Sequence, residues 1–253
     1  MLAGLLGALA IGLSLGLLGS GGSILTVPVL VYLFGQEEKV AIAGSLAAVG
    51  SIALAAAIPY ALRRDVDWRN VLWFGIPGMF GTYAGAWVAN FISGVAQLAL
   101  FAAVMLLAAI MMLRRPPHVD PGDSHRHPFK IVADGLGVGA LTGIVGVGGG
   151  FLIVPALVLL GGMGMRAAVG TSLVIIAMKS GSGFVKYLDV LDRFDLTLDW
   201  QVLGIVTAAG ILGTFAGNLL SGKIPQSALR RIFAIFLLFM GAWILWRTLP
   251  QVI

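Results

Sequence analysis

The chain reads as an all-α membrane protein of about eight hydrophobic helical segments in two homologous four-segment repeats. The first segment of each repeat is expected to be broken or re-entrant at a Gly-rich, Pro-containing motif. Composition predicts the environment: 59% of the 253 residues are hydrophobic and 11% charged, with a mean hydropathy of +1.01, against about 45–50% apolar and about 25% charged in soluble domains. Apolar stretches long enough to span lipid, about 18 residues or more, fall near residues 2–34, 40–62, 70–92, 96–113, 131–161, 167–188, 200–221 and 228–248. Finally, residues 16–30 and 143–157 are near copies, each a glycine cluster followed by a proline inside an apolar run.

The first and fifth segments carry that motif. Glycine weakens a helix by about 1 kcal/mol and proline by about 3 kcal/mol, so their recurrence at one spacing predicts a retained helix break, with Pro28 and Pro155 as its markers. In lipid, freed backbone groups persist only where protein or a water-filled cavity satisfies them, which makes the break a candidate binding site. The N-terminus lacks a basic region before its apolar stretch, so the first segment is expected to stay in the protein.

The second to fourth and sixth to eighth segments complete the two halves. At an offset of 127, Gly12, Gly16, Gly19, Gly21, Gly22, Leu25, Val27, Pro28 and Leu30 meet Gly139, Gly143, Gly146, Gly148, Gly149, Leu152, Val154, Pro155 and Leu157, and Ser45 meets Ser172. At an offset of 132, Asp67-Trp68 matches Asp199-Trp200, Gly78 matches Gly210, and Gly81-Thr82 matches Gly213-Thr214. The expected division is an N-terminal transmembrane repeat over 1–113, a polar linker over 114–130 and a C-terminal transmembrane repeat over 131–253. Duplicated halves of this kind are typical of secondary transporters with a site near the bilayer midplane.

Basic residues lie in short loops, so the sequence pI near 9.9 signals topology rather than nucleic acid. If every segment crosses once, Arg63, Arg64, Arg69, Arg114, Arg115, Arg126, Lys130, Lys186, Arg193 and Arg247 share one face, which would be cytoplasmic with both termini inside. If the first and fifth segments fold back as hairpins, the halves are inverted. Arg166, Lys223, Arg230 and Arg231 then join the basic face and Lys186, Arg193 and Arg247 leave it. Charge bias fits both arrangements.

The glycine and proline motifs, with Ala43-Gly44-Ser45-Leu46 and Val169-Gly170-Thr171-Ser172-Leu173 following at similar distances, resemble those of the sulfite exporter TauE/SafE family of membrane transporters over nearly the whole chain. That resemblance implies transport of sulfur-containing anions, such as sulfite, sulfoacetate or other organosulfonates, across the bacterial inner membrane. Ser20 and Ser23 stand where the second motif has Val147 and Gly150, so the two copies need not bind alike.

The residues point to an anion independently. No carboxylate falls at mid-span, whereas carriers of cations commonly place Asp or Glu there. Lys179 lies near the centre of the 167–188 segment and reads as the only deeply placed charge. An ammonium at the bilayer centre costs about 2.5–3.5 kcal/mol on insertion scales, which a polar cavity and an anion would offset; pairing with a helix C-terminal carbonyl or a loop acid is the alternative. Its counterpart in the first half is Ile52. Glycines at a restarting helix let unpaired N–H groups approach an oxyanion. The spaced pairs Gly12/Gly16, Gly81/Gly85, Gly139/Gly143 and Gly213/Gly217 also suit helix packing. The candidate substrate-binding set is Gly19, Ser20, Gly21, Gly22, Ser23, Ser45, Gly146, Gly148, Gly149, Gly150, Thr171, Ser172 and Lys179.

An enzyme is not expected. There is no cysteine, no Gly-x-Ser-x-Gly elbow and no nucleotide-binding loop, and His118, His125 and His127 all fall in the polar linker. No cofactor or metal is expected. The expected partners are the lipid bilayer, a small anionic substrate and a proton or ion gradient, with no nucleic acid; oligomeric state is left open. The sequence is read as a secondary transporter with a central site between the repeats. A passive anion channel, or a transporter of another small organic anion, is the alternative.

Overall fold

The computed structural model describes residues 2–114, 128–145, 150–221 and 223–252. The expected linker lies almost wholly outside them, as do Gly146, Gly148 and Gly149 of the second motif. Among the described residues every regular element is helical: α1 (Leu2–Leu18), α2 (Gly21–Pro28), α3 (Glu38–Leu62), α4 (Trp68–Asn70), α5 (Ile76–Val88), α6 (Gly94–Arg114), α7 (Pro128–Val145), α8 (Gly150–Pro155), α9 (Met165–Arg193), α10 (Trp200–Ser221) and α11 (Gln226–Val252). Five helices are long and apolar enough to cross a membrane, over Glu38–Leu62, Gly94–Arg114, Met165–Arg193, Trp200–Ser221 and Ser227–Thr248. The remaining apolar stretches are divided. Large hydrophobics such as Leu54, Phe80, Leu107, Leu212, Phe239 and Trp246 are exposed, as a lipid-facing surface requires and a soluble one avoids.

The first segment does not cross once. α1 stops at Leu18, and Gly19 turns the chain with φ +75, a left-handed conformation that glycine adopts without Cβ strain. α2 then folds back along α1. A Cβ at Gly22 would strike Ile11 O and Leu15, and one at Gly4, near the other end of α1, would meet the Phe34 ring. Glycines at 21 and 22 therefore close a helical hairpin.

The expected breaks at Pro28 and Pro155 are not where the backbone leaves the helix. Both prolines keep helical dihedrals, φ −56, ψ −39 and φ −55, ψ −42. Each leads into a π-helical turn, Val29–Leu33 and Ala156–Leu160. A proline lacks its N–H and crowds the carbonyl four residues back, and a wider turn accommodates that without ending the helix. The exits match as well: Phe34 N donates to Val29 O at 3.2 Å and Gln36 N to Leu30 O at 3.0 Å, while Gly161 N donates to Ala156 O at 3.0 Å and Met163 N to Leu157 O at 3.1 Å.

Helices pack across the two halves of the chain. α1 lies along α10, α5 along α7, α6 against α11, and α3 against α9 at the centre. Small residues set the first two contacts. Gly12 and Gly16 abut the carbonyls of Gly210 and Thr214, and Gly139 and Gly143 abut those of Gly78 and Thr82, so both pairs run parallel. α3 and α9 run antiparallel, with Gly50 against Ser180 and Leu46 against Gly183. Fully buried Ile42, Leu46, Ile52, Ile175 and Ile176 fill the space between these two helices and their neighbours.

Aspartates start two of the elements. Asp67 Oδ1 accepts from Arg69 N and Asn70 N at 2.9 and 3.1 Å, and Asp199 Oδ1 from Gln201 N and Val202 N, both at 3.0 Å, satisfying orphan first-turn donors.

Because a side chain at Gly213 would overlap Leu9 O of α1, Gly213→Val is expected to separate α1 from α10 and destabilise the fold by about 1–3 kcal/mol or more. Thermal unfolding in detergent measures this, and substitution at Gly204, where a Cβ meets nothing within 4 Å, should leave the midpoint nearly unchanged.

Candidate functional site

The site is built where the α1–α2 turn meets α9. Gly19 is doubly required there: besides its positive φ, a Cβ would lie 2.8 Å from Val169 Cα and 3.0 Å from Ser172 Oγ. Ser172 Oγ donates to Val169 O at 2.8 Å and reaches Gly19 O at 3.3 Å. One turn along α9, Ile176 meets the next contact. A Cβ on Gly150 would lie 2.7 Å from Ile176 Cδ1 and 2.8 Å from Ser23 Oγ, so the two glycine motifs touch at Ser23 and Gly150.

The start of α2 is sealed from solvent. Gly21, Gly22 and Ser23 are buried and carry its first N–H groups, and no side chain caps them. Ser20 is fully buried, and its Oγ has no hydrogen-bond partner among the described residues. Ser23 Oγ donates to Ser20 O at 2.7 Å, and Thr26 Oγ1 to Gly22 O at 2.8 Å. Uncapped N–H groups with a half-charge of helix dipole behind them and a hydroxyl beside them are donors of the kind that suits an oxyanion.

Lys179 is fully buried and lies on the α9 face that carries Ser172 and Ile176, at helical spacing. Its Nζ has no hydrogen-bond partner among the described residues and sits 4.6 Å from the centroid of the Phe74 ring, within cation–π range. The niche exists because residue 78 is glycine: a Cβ there would overlap Lys179 Cε. Ile52 packs on Gly210 in the same manner, so the counterpart of the charged niche is filled by hydrocarbon. The packing residues Phe74 and Gly78 were not among the expected set; the alignment of Gly78 with Gly210 was their one sequence signal.

The remaining expected residues are placed elsewhere. Thr171 is buried, but its Oγ1 accepts from Asp67 N at 2.9 Å and anchors the α3–α4 connection. Ser45, buried on α3, donates to Ile42 O at 2.9 Å. Gly146, Gly148 and Gly149 lie outside the described residues. Lys179 is not the only buried cation, although it is the one near mid-span. Lys39 is only 8% exposed because the end of the Ala89–Phe91 turn and Gln97 of α6 surround it; Nζ donates to Ala89 O, Ile92 O and Gln97 Oε1 at 2.7, 2.8 and 2.8 Å. Its position at the rim of an apolar stretch made it read as a loop residue. No cluster of potential metal ligands occurs among the described residues.

Helices with lipid-facing apolar surfaces around a polar, interrupted interior define an integral, multi-pass membrane protein. The profile of the sulfite exporter TauE/SafE family matches residues 4–244, and the chain belongs to that family. It is 34% identical over 245 residues to a "Probable membrane transporter protein" of Xylella fastidiosa (strain 9a5c), covering 94% of this chain and 92% of that one. It is 25% identical over 255 residues to the "Probable membrane transporter protein YunE" of Bacillus subtilis (strain 168), covering 91% and 92%. A "Probable membrane transporter protein" of Haemophilus influenzae is 25% identical over 252 residues, covering 94% of each. No solved structure matches significantly.

The Lys179 niche gives a direct test. Gly78→Ala should displace the lysine and destabilise the wild-type background by about 1–3 kcal/mol, yet have a much smaller effect when combined with Lys179→Ala. A double-mutant cycle on thermal unfolding reads the coupling, and additive effects would show that Gly78 and Lys179 do not share the niche.

Proposed function

We propose that this protein is a secondary transporter that moves small sulfur-containing anions, sulfite or organosulfonates such as sulfoacetate, across the plasma (bacterial inner) membrane through a central site between two repeats. The observation that carries the reading is the fully buried Lys179 ammonium, without a hydrogen-bond partner among the described residues, in an interior where no described carboxylate is buried. Such an interior favours an anion as the missing counter-charge. The uncapped start of α2 with Ser20, two turns of α9 away at Ser172, supplies donors suited to sulfonate or sulfite oxygens.

Membership of the TauE/SafE family, and relatives named as probable membrane transporters, support transport rather than catalysis. A two-repeat architecture is supported by the matched π turns after Pro28 and Pro155 and by the matched contacts of Lys179 with Gly78 and Ile52 with Gly210. The fold-back of α2 and the antiparallel α3–α9 pair favour repeats of inverted topology. In that arrangement Arg63, Arg64, Arg69, Arg114, Lys130, Arg166, Lys223, Arg230 and Arg231 gather at one end and Lys39, Lys186, Arg193 and Arg247 at the other. The first end is then cytoplasmic, and residues 2 and 252 lie at the opposite face.

Purified protein in liposomes, offered sulfite, sulfate, sulfoacetate and taurine with and without a proton gradient, tests the reading. Uptake of sulfite or sulfoacetate at carrier-like rates is expected; conductance far above carrier turnover would mean a channel, and no flux of any of the four would reject the cargo class. Lys179→Ala should lower flux about 10-fold or more, the value of one hydrogen bond to a charged group, with insertion unchanged. Unaltered flux would remove Lys179 from the mechanism.

A further inference from the structure

An α-helix that stops inside a membrane leaves its last carbonyls without intrahelical partners, and lipid supplies none. α1 stops at Leu18, and Gly19 N takes Leu15 O at 2.8 Å. The next carbonyl, Gly16 O, is taken by a residue from another helix, Tyr60 near the end of α3, whose Oη donates to it at 3.1 Å with Ser221 Oγ of α10 2.9 Å away. α7 is described as far as Val145, next to the second glycine cluster. Gly143 O there accepts from Tyr187 Oη of α9 at 3.4 Å, and Gln97 Nε2 donates both to Ile144 O and, at 2.9 Å, to Tyr187 Oη.

The tyrosine and the carbonyl it reaches correspond in the two arrangements. Tyr60 and Tyr187 are separated by the same 127 positions as Gly16 and Gly143. Both phenols are buried, at 4% and 0% exposure. They stand at opposite ends of the molecule. Tyr60 neighbours the 63–70 connection, where Asp65 O and Asp67 N meet Gly170 and Thr171. Tyr187 joins through Gln97 to Lys39, which is bound to Ala89 O and Ile92 O and stands 5.6 Å from the Phe194 ring.

We propose that Tyr60 and Tyr187 are paired positioning residues, Tyr60 latching the carbonyl end of α1 at Gly16 and Tyr187 latching the matching Gly143 carbonyl of α7, so that releasing one latch opens the central contact at Ser23 and Gly150 to water from that latch's own end. The inference rests on the transport reading above, and it assigns each end of the molecule its own gate. A tyrosine that merely stabilised the fold would loosen both ends together. A latch loosens one.

The chain contains no cysteine, so Ser23→Cys introduces a single thiol at the contact between the two motifs. Its modification by a membrane-impermeant thiol reagent is measured in right-side-out and in inverted vesicles. Tyr60→Phe in this background should raise the rate from the Tyr60 end alone, and Tyr187→Phe from the opposite end alone. The expected increase is about two- to tenfold, the range set by one neutral hydrogen bond. If either phenylalanine variant fails to insert, Ser221→Ala and Gln97→Met remove the other partner of each hydroxyl and carry the same test. Equal increases from both ends, or none from either, would overturn the proposal. Labelling does not depend on cargo: side-specific rates with no anion flux would reject the sulfur-anion reading and keep the latches, whereas flux with unselective labelling would reject the latches alone.

Discussion

Hydrocarbon offers no hydrogen-bond partner, so each place where this chain interrupts a helix has to be completed by another part of the protein. That requirement orders much of the interior. The αL turn at Gly19 hands one carbonyl to its own N–H and the next to Tyr60. The prolines at 28 and 155 are absorbed by widened turns that keep the backbone bonded. Asp67 and Asp199 take the first donors of their helices. What is left over is informative: the first N–H groups of α2 have no side-chain cap, and Ser20 Oγ and Lys179 Nζ have no partner among the described residues. Donors without acceptors are the groups an anion would satisfy.

The inter-helix glycines differ in what a Cβ would strike. Gly12 and Gly16 of α1, Gly81 and Gly85 of α5, Gly139 and Gly143 of α7 and Gly213 and Gly217 of α10 meet the carbonyls of a neighbouring helix, so they allow close approach of backbones. Gly78 and Gly210 meet side chains instead, Lys179 in one case and Ile52 in the other. The same backbone geometry thus supports a charge on one side of the molecule and hydrocarbon on the other. In the carrier proposed above, this difference would let a single lysine serve a single site.

Much of this was legible in the chain. Hydropathy located the helical stretches within a few residues, and the glycine cluster of the first motif marked where the first would turn, because one of its members takes the left-handed conformation of the turn. The sequence could not say which member of the motif carries the turn. Propensity makes proline the stronger breaker, but propensity assumes an α-helical alternative, and a π turn removes the conflict. Nor could charge bias choose between crossing and fold-back; the contacts of Gly4 with Phe34 and Gly22 with Ile11 did. Lys179 was found by its depth alone. Lys39, Gln97 and the two tyrosines were not, since each is placed by partners more than forty residues away. The shared spacing of Tyr60 and Tyr187 was the available signal.

The pairing of α1 with α10 and of α5 with α7 also governs how the molecule is assembled. Neither half completes its own interior, because the glycine-lined groove of α1 is filled by α10, a helix of the other half. Until α10 is made that groove faces lipid or a chaperone, and contacts of such long sequence separation form slowly. Biogenesis is therefore committed late: α1 has no mate until α10 has been synthesised, and a chain cut before α10 leaves that groove unfilled.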